Sequence, residues 1–334
     1  MCSPHLYISA FNTTLLKMKL PKISIIGCGV SGLTVGIVLL RHGYSVEIIT
    51  EKLPLQTTSA VAAAIWLPYE IKPIELANKW SNISHLTFQE LVHQPTTGIS
   101  IIPTKILLQK EEDAWWKTAI PKEFIRKALP NELSVDSTCG YVVQAPLIET
   151  PIYLKYLLDT FQDLGGTIDI DTIEDIITFT KEKEIVINCT GLGSRELLND
   201  QSMYAIQGQI VQLQASDTVP CILAEYTFGE KGEDLAYVVP RKDCVILGGT
   251  LVKYGEDTRP KEVITKGIVE RCQELVPAIK GLAVKNVVVG LRLGRPTLRL
   301  ERIGNLIHNY GHGGGGFTVS WGCALEVLEL VKEI

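Results

Sequence analysis

No apolar run in this sequence approaches the roughly 20 residues that a membrane-crossing helix needs. The longest candidates are Val35 to Leu40 and Val61 to Leu67. Basic charge is scarce too: 32 lysines and arginines face 37 acidic residues, a net charge of -5. That balance argues against a nucleic-acid partner, because counterion release from phosphate needs a basic surface. Eight cysteines are present but none form a CxxC pair, and the six histidines show no HExxH spacing. His308 and His312 are four apart, yet the glycines around them argue against one helix presenting both. A structural metal is therefore not expected, and the scattered cysteines read as small core hydrophobes in a reducing compartment.

The first 19 residues are expected to be an extension. They lack a basic start, a sustained apolar region and a cleavage site, and Met18 is an alternative start. The final residues, Val331 to Ile334, carry no SKL-type address. A cytoplasmic protein is the expectation. Apolar content of 46% and charged content of 21% are ordinary for a globular chain.

What is present begins at Lys22. KISIIGCGVSGLTVGIVLLRHGYSVEIITE reads as strand, glycine turn, helix, strand and terminal acid. Ile23 to Ile26 suits a buried parallel strand. Gly27, Gly29 and Gly32 form G-x-G-x-x-G before a helix over Leu33 to Arg41, which Gly43 ends. Val46 to Thr50 is the second strand, and Glu51 follows it. The spacing predicts a dinucleotide site: Gly27 permits the turn, Gly29 admits pyrophosphate, Gly32 allows close helix packing, and Glu51 accepts from ribose hydroxyls. This motif alone does not separate FAD from NAD.

Four further stretches carry a resemblance. They are TTSAVAAAIWLPY from Thr57, IVINCTGLGS from Ile185, YVVPRKDCVILGGT from Tyr237, and GLRLGRPTLRLE from Gly290 running on to HNYGHGGGGFTVSWGCALE. In this order they resemble the D-amino acid oxidase family, which includes D-aspartate oxidases, over nearly the whole chain from Lys22. The resemblance implies FAD as cofactor. It implies contacts from Gly27, Gly29, Val30, Ser31 and Gly32, from Glu51 and Lys52, and from Thr57, Thr58, Ser59, Ala63 and Ala64. It adds Ile173, Cys189, Thr190 and Gly191, then Arg295, then Gly313, Gly314, Gly315, Gly316, Phe317 and Thr318.

The same resemblance assigns the substrate carboxylate to Arg295 and Tyr237, and the substrate amine to the Gly314 carbonyl. An arginine fork suits a carboxylate on physical grounds. Arg292 is expected to be a structural ion-pair partner. Leu67, Tyr69, Tyr226 and Val239 are expected pocket walls, with Trp66 beside them, though core packing reads equally well. The segment around Tyr226, with Gly229 and Gly232 as hinges, reads either as a lid or as a plain hairpin. Where vertebrate members carry a tyrosine in the last glycine run, this chain has Gly315, so a more open pocket floor or a more mobile loop is expected. At positions matched to arginines of acidic-selective members stand Gln207 and Leu251, which favours neutral D-amino acids; Lys253 and Arg241 are nearby cations that could compensate.

The implied fold is α/β: a Rossmann-like FAD-binding domain, discontinuous in sequence, with a mixed-sheet α+β substrate domain. The expected division gives residues 20–70, 142–200 and 285–334 to the first, and 71–141 and 201–284 to the second. Residues 95–118 read as irregular. The implied activity is oxidative deamination of D-amino acids to 2-oxo acids, ammonia and hydrogen peroxide, with dioxygen as co-substrate. Alternatives are a D-aspartate oxidase, a glycine or sarcosine oxidase, or a non-catalytic dinucleotide-binding protein. A homodimer is left open.

Overall fold

The computed structural model describes residues 20–68, 71–134, 136–228 and 233–334. In chain order the first elements are β1 (Lys22–Ile26), α1 (Val30–Arg41), β2 (Ser45–Thr50), α2 (Ile74–Leu91), β3 (Ile99–Leu108), β4 (Ile125–Lys127), β5 (Cys139–Ile148) and α3 (Thr150–Asp163). There follow β6 (Thr167–Ile170), α4 (Ile176–Lys181), β7 (Ile185–Asn188), α5 (Ser194–Leu197), β8 (Tyr204–Leu213), β9 (Cys221–Phe228), β10 (Asp234–Pro240) and β11 (Val245–Thr250). The last are β12 (Val252–Lys253), α6 (Glu262–Leu275), β13 (Val284–Gly294), β14 (Arg299–Ile303), β15 (Leu306–Tyr310) and α7 (Gly316–Lys332).

Two sheets result. One has the order β14-β15-β7-β1-β2-β6, and β1, β2, β6, β7 and β15 run parallel in it. Its central strands β1 and β7 are buried nearly throughout, whereas β6 and β14 at the edges are polar and largely exposed. Helix α1 is apolar nearly all round, since it lies between this sheet and the helices α3 and α7. The crossing with α3 is close: a side chain at Gly36 would lie 2.6 Å from the Phe161 ring.

The other sheet runs β12-β8-β11-β10-β9-β3-β5-β4, with β13 also paired to β8. Its two faces differ. Helix α6 covers one, packing Ile268 and Cys272 on Val211, Val238 and Leu247. The other face, with Ile106, Leu223 and Val239, turns into the main core shared with the first sheet.

This arrangement corrects the expected division. Residues 142–148 and 285–294 lie in β5 and β13, strands of the nine-stranded sheet, because their partners are β3 and β8. Helix α2, expected with the second unit, packs on α7 of the first. The stretch read as irregular holds β3, ten residues long.

Candidate active site

The carboxyl ends of β1, β7 and β15 meet at the start of α1. Gly27 takes a φ of +105°, a region that glycine alone visits freely, and a side chain there would lie 2.6 Å from the Cys189 carbonyl oxygen. Gly32 faces Gly27 across the turn, where a Cβ would sit 2.0 Å from the Gly27 oxygen. Gly29 is the N-cap of α1, no side chain caps that helix end, and its first turn holds no acid. Apart from that of Val30, its first-turn amides can therefore attract an anion. Thr57 and Ser59 stand over this point: a Cβ on Gly29 would be 3.8 Å and 3.2 Å from their hydroxyl oxygens. The Val30 amide donates to Ser59 Oγ at 3.1 Å. Thr58, Glu51 and Lys52 are exposed beyond the end of β2.

Buried polar side chains tie the strand ends together. Asn309, at the end of β15, donates to Ser31 Oγ at 3.0 Å, and its Oδ1 meets His312 Nε2 at 2.9 Å. Asn188 at the end of β7 accepts from the Thr190 amide and hydroxyl. Asn188 is fully buried. Cys189, Thr190 and Gly191 form the turn after β7, whereas Ile173 packs with Ile26, Ile176 and Val186.

The glycine loop follows. Gly311 and Gly313 take φ of +84° and +57°. The Gly313 amide donates to the Leu293 carbonyl at 3.1 Å, which fastens the loop to the last turn of β13. Gly314 is exposed at the tip, and Gly315 caps α7 without a side-chain bond. Gly315 does not open a space: a Cβ there would lie 2.3 Å from Ile71 Cδ1, so Ile71 occupies it. Phe317 and Thr318 are buried, and the Thr318 hydroxyl donates to the Leu67 carbonyl at 3.1 Å. Ala63 and Ala64 lie between the 3-10 turn Thr58–Val61 and Trp66, and Ala64 takes a φ of +53°.

Beside this loop the nine-stranded sheet presents Arg292 and Tyr237. Arg292 comes from β13 and donates to the Thr250 carbonyl at 2.9 Å. Its guanidinium lies flat over Gly208 of β8, where a Cβ would be 2.4 Å from Nη1. Tyr237 lies over Gly248 of β11, where a Cβ would be 1.7 Å from the ring. Burial raises the Tyr237 hydroxyl pKa, and the adjacent Arg292 guanidinium opposes the rise. Because Leu293 holds Gly313, Arg292 and the glycine loop are neighbours.

Arg295 is elsewhere, which corrects its expected role. It pairs with Asp200 at 3.1 Å, donates to the Thr297 carbonyl at 2.6 Å and packs on the Tyr310 ring. Tyr310 also donates to Asp200 at 2.8 Å. Burial would push the Asp200 carboxyl up, but hydrogen bonds from Ser202 and Tyr310, together with Arg295, hold it well below the carboxylate range. Pro296 is the reason for the difference: it follows Arg295, cannot donate to a ladder, and the strand has already ended at Gly294. Strand alternation through Val288, Gly290 and Arg292 was the signal in the sequence that separated the two arginines.

The pocket walls are also redistributed. Leu67 and Val239 are buried in the main core near the site. Tyr226 is on the α6 face of the sheet, bonded to Ser134 Oγ at 3.2 Å and packed on Phe228, because β9 alternation turns Leu223 and Glu225 the other way. Arg241 is committed to a buried pair with Glu149 and a second contact to half-exposed Asp243, so it is no cation for a ligand. Tyr69, Gly229 and Gly232 lie outside the described residues.

Residues 22–330 match the family model for FAD dependent oxidoreductases abbreviated DAO. The chain belongs to this family. A D-amino-acid oxidase of Rubrobacter xylanophilus is 36% identical over 314 residues, spanning 92% of this chain and 94% of that one. A D-aspartate oxidase of Homo sapiens is 32% identical, covering 95% and 96%. Glycine oxidase from Geobacillus kaustophilus has the same fold, with a TM-score of 0.74 at 18% identity over 94% and 95% of the chains.

The residues present fit FAD. The side-chain-free cradle at Gly27, Gly29 and Gly32 suits a pyrophosphate, with Thr57 and Ser59 above it. Glu51 is exposed just past the end of β2, where the glycine motif would put a ribose. The uncapped start of α7, 17 residues long, offers amides and a positive helix end to the flavin ring. Among the described residues no helix is long and apolar enough to cross a membrane, and no cluster of side chains could hold a metal.

Proposed function

We propose that this chain oxidises D-amino acids, with Arg292 and Tyr237 holding the substrate carboxylate. The observation that carries the reading is the meeting of Arg292 and Tyr237 beside the Gly313 loop, over two strands kept bare by Gly208 and Gly248. A planar guanidinium and a phenol within reach of each other suit a carboxylate, and their hydrogen bonds to it are charge-assisted. The six-stranded sheet and its helices would hold the cofactor, and the exposed Gly314 carbonyl would accept from the substrate amine.

Bound FAD would supply the acceptor for the Cα hydride and the route by which that electron pair reaches dioxygen to give hydrogen peroxide. The protein's part is position and charge. Arg292 and Tyr237 fix one end of the substrate and Gly314 fixes the amine, so Cα is aimed by three points. The neutral amine supplies the electron pair that becomes the C=N bond as the Cα hydrogen leaves. The imino acid is then hydrolysed to a 2-oxo acid and ammonia. No side-chain base is required, and Arg292, Tyr237 and Gly314 offer none at neutral pH.

The name of the Rubrobacter relative supports this substrate class, and that of the human relative keeps D-aspartate in view. Against D-aspartate stand Gln207, whose side chain bonds the Asp257 carbonyl, Leu251, buried against Ile206 and Leu235, and the commitment of Arg241. A cytoplasmic setting goes with this reading, since the seven cysteines among the described residues are all unpaired. The test is peroxide release by the FAD-loaded protein on D- and L-amino acids, glycine and sarcosine. Turnover confined to D-residues supports the reading; turnover of L-residues, or of none, overturns it.

A further inference from the structure

Among the described residues, one carboxylate of the nine-stranded sheet pairs with no cation. Glu225 lies on β9, and Leu223 on that strand is the direct cross-strand partner of Tyr237. Side chains two apart on a strand share a face. Glu225 follows Ala224 where β9 and β10 leave regular register, and its bond to Trp116 holds it on the main-core side of the sheet, the side on which Tyr237 packs. Its Oε2 accepts from Trp116 Nε1 at 2.5 Å, and Trp116 is itself fully buried against Tyr141. Among the described residues no other hydrogen bond reaches Glu225 and no lysine or arginine pairs with it. It is neither sealed in the core nor open on the surface.

The chemistry of such a group is specific. Most buried acids are paired with a cation, because an isolated charge loses its hydration without compensation. Here the charged neighbour is another acid, Asp113. The carboxyl pays for burial with a pKa near 7, raised first by desolvation and then by Asp113, against the pull of the Trp116 bond. The indole fixes the carboxylate through one oxygen and leaves the other for a ligand.

Resting on the oxidase reading above, we propose that Glu225 selects the substrate side chain, and that the preferred substrates are D-amino acids with a cationic side chain, such as D-lysine and D-arginine. A substrate anchored at Arg292 and Tyr237 with its side chain directed along β9 brings its terminal cation to Glu225. The flexible four-carbon stem of lysine, or the guanidinium of arginine, has the reach. The stem would lie along Leu223, which shares the face. The same carboxylate repels D-aspartate and D-glutamate, so one residue both attracts and excludes. The sequence expectation of neutral substrates weighed the absent arginines but not this acid.

The test compares charged substrates with neutral analogues of the same shape, at a pH well above 7. Peroxide release gives kcat/KM for D-lysine against D-norleucine, and for D-arginine against D-citrulline. In the native chain each ratio is expected to exceed about tenfold, since the charge pair forms in a partly desolvated site. Glu225→Gln should lower both ratios about tenfold. Glu225→Lys should reverse the sign and favour D-glutamate over D-norleucine. Bound FAD, read from the visible absorbance, shows that each variant is folded. Ratios near one in the native chain, or unchanged in Glu225→Gln while D-norleucine is oxidised, overturn this proposal and leave the oxidase standing. FAD-loaded protein that oxidises none of these substrates overturns the oxidase reading, and this proposal with it.

Discussion

Arg292 and Tyr237 lie side by side although two strands separate theirs. β8 and β11 run between β13 and β10, and each carries a glycine beneath one of the two side chains. Neighbouring strands are about 4.8 Å apart, so neither side chain could lean across if those positions bore a Cβ. The pair exists because Gly208 and Gly248 are empty.

Arg292→Leu and Arg295→Leu should separate recognition from stability. Hydrogen bonds to a charged group contribute about 1.5–3 kcal/mol, so Arg292→Leu should lower kcat/KM for D-amino acids roughly 10- to 100-fold. Its melting temperature should change little. Arg295→Leu leaves Asp200 without its cation and should cost about 1–2 kcal/mol of stability, with a smaller kinetic effect. Steady-state kinetics and thermal unfolding of the two variants check this; a larger loss of kcat/KM in the Arg295 variant would refute it.

Gly32→Ala should remove the cofactor. Its Cβ would sit 2.0 Å from the Gly27 carbonyl oxygen, which is backbone and cannot swing away. The start of α1 would have to move off β1, and the phosphate cradle with it. The expected result is colourless protein with a lowered melting temperature. Yellow Gly32→Ala protein with native FAD content would contradict the assignment of this turn.

Glu225 should make the chain less stable as pH rises. Its carboxyl is raised from 4.5 to about 7 in the fold, so folded protein holds a proton that unfolded chain has released. A raised acid contributes most below its unfolded value, and that contribution is lost as pH climbs to the folded value. Glu225→Gln has no such titration. Its stability relative to the native chain should therefore grow from pH 4.5 to 7 and level off above, measured by urea unfolding across that range. A constant difference would mean that the carboxyl is not held neutral by burial and Asp113.

The opening strand-turn-helix-strand was legible because its glycines, apolar runs and terminal acid agree with one another. The glycine loop between β15 and α7 was legible for the same reason. Sheet membership was not. β5 and β13 pair with strands distant in sequence, and nothing local in Val142 to Ile148 or Val284 to Gly294 names those partners. The two arginines of GLRLGRP were confounded because a resemblance by motif does not count strand phase. Pro296 and the alternation through Arg292 do. Glu225 was invisible because an acid beside a tyrosine in a polar stretch looks solvated until burial is known.

Helix α7 meets α2 backbone to backbone: a Cβ on Gly322 would lie 2.3 Å from the Trp80 Cα, and the Gly322 amide donates to Ser84 Oγ at 3.1 Å. Its other end starts at Gly315, against the glycine loop. A rod clamped at its middle cannot slide along its own axis. The positive pole at its tip is therefore stationary, and the field it casts on the site is the same whether two electrons have just arrived or just departed. Little rearrangement energy is then spent on this helix in each redox cycle, and the loop glycines are mounted on an element held by close packing.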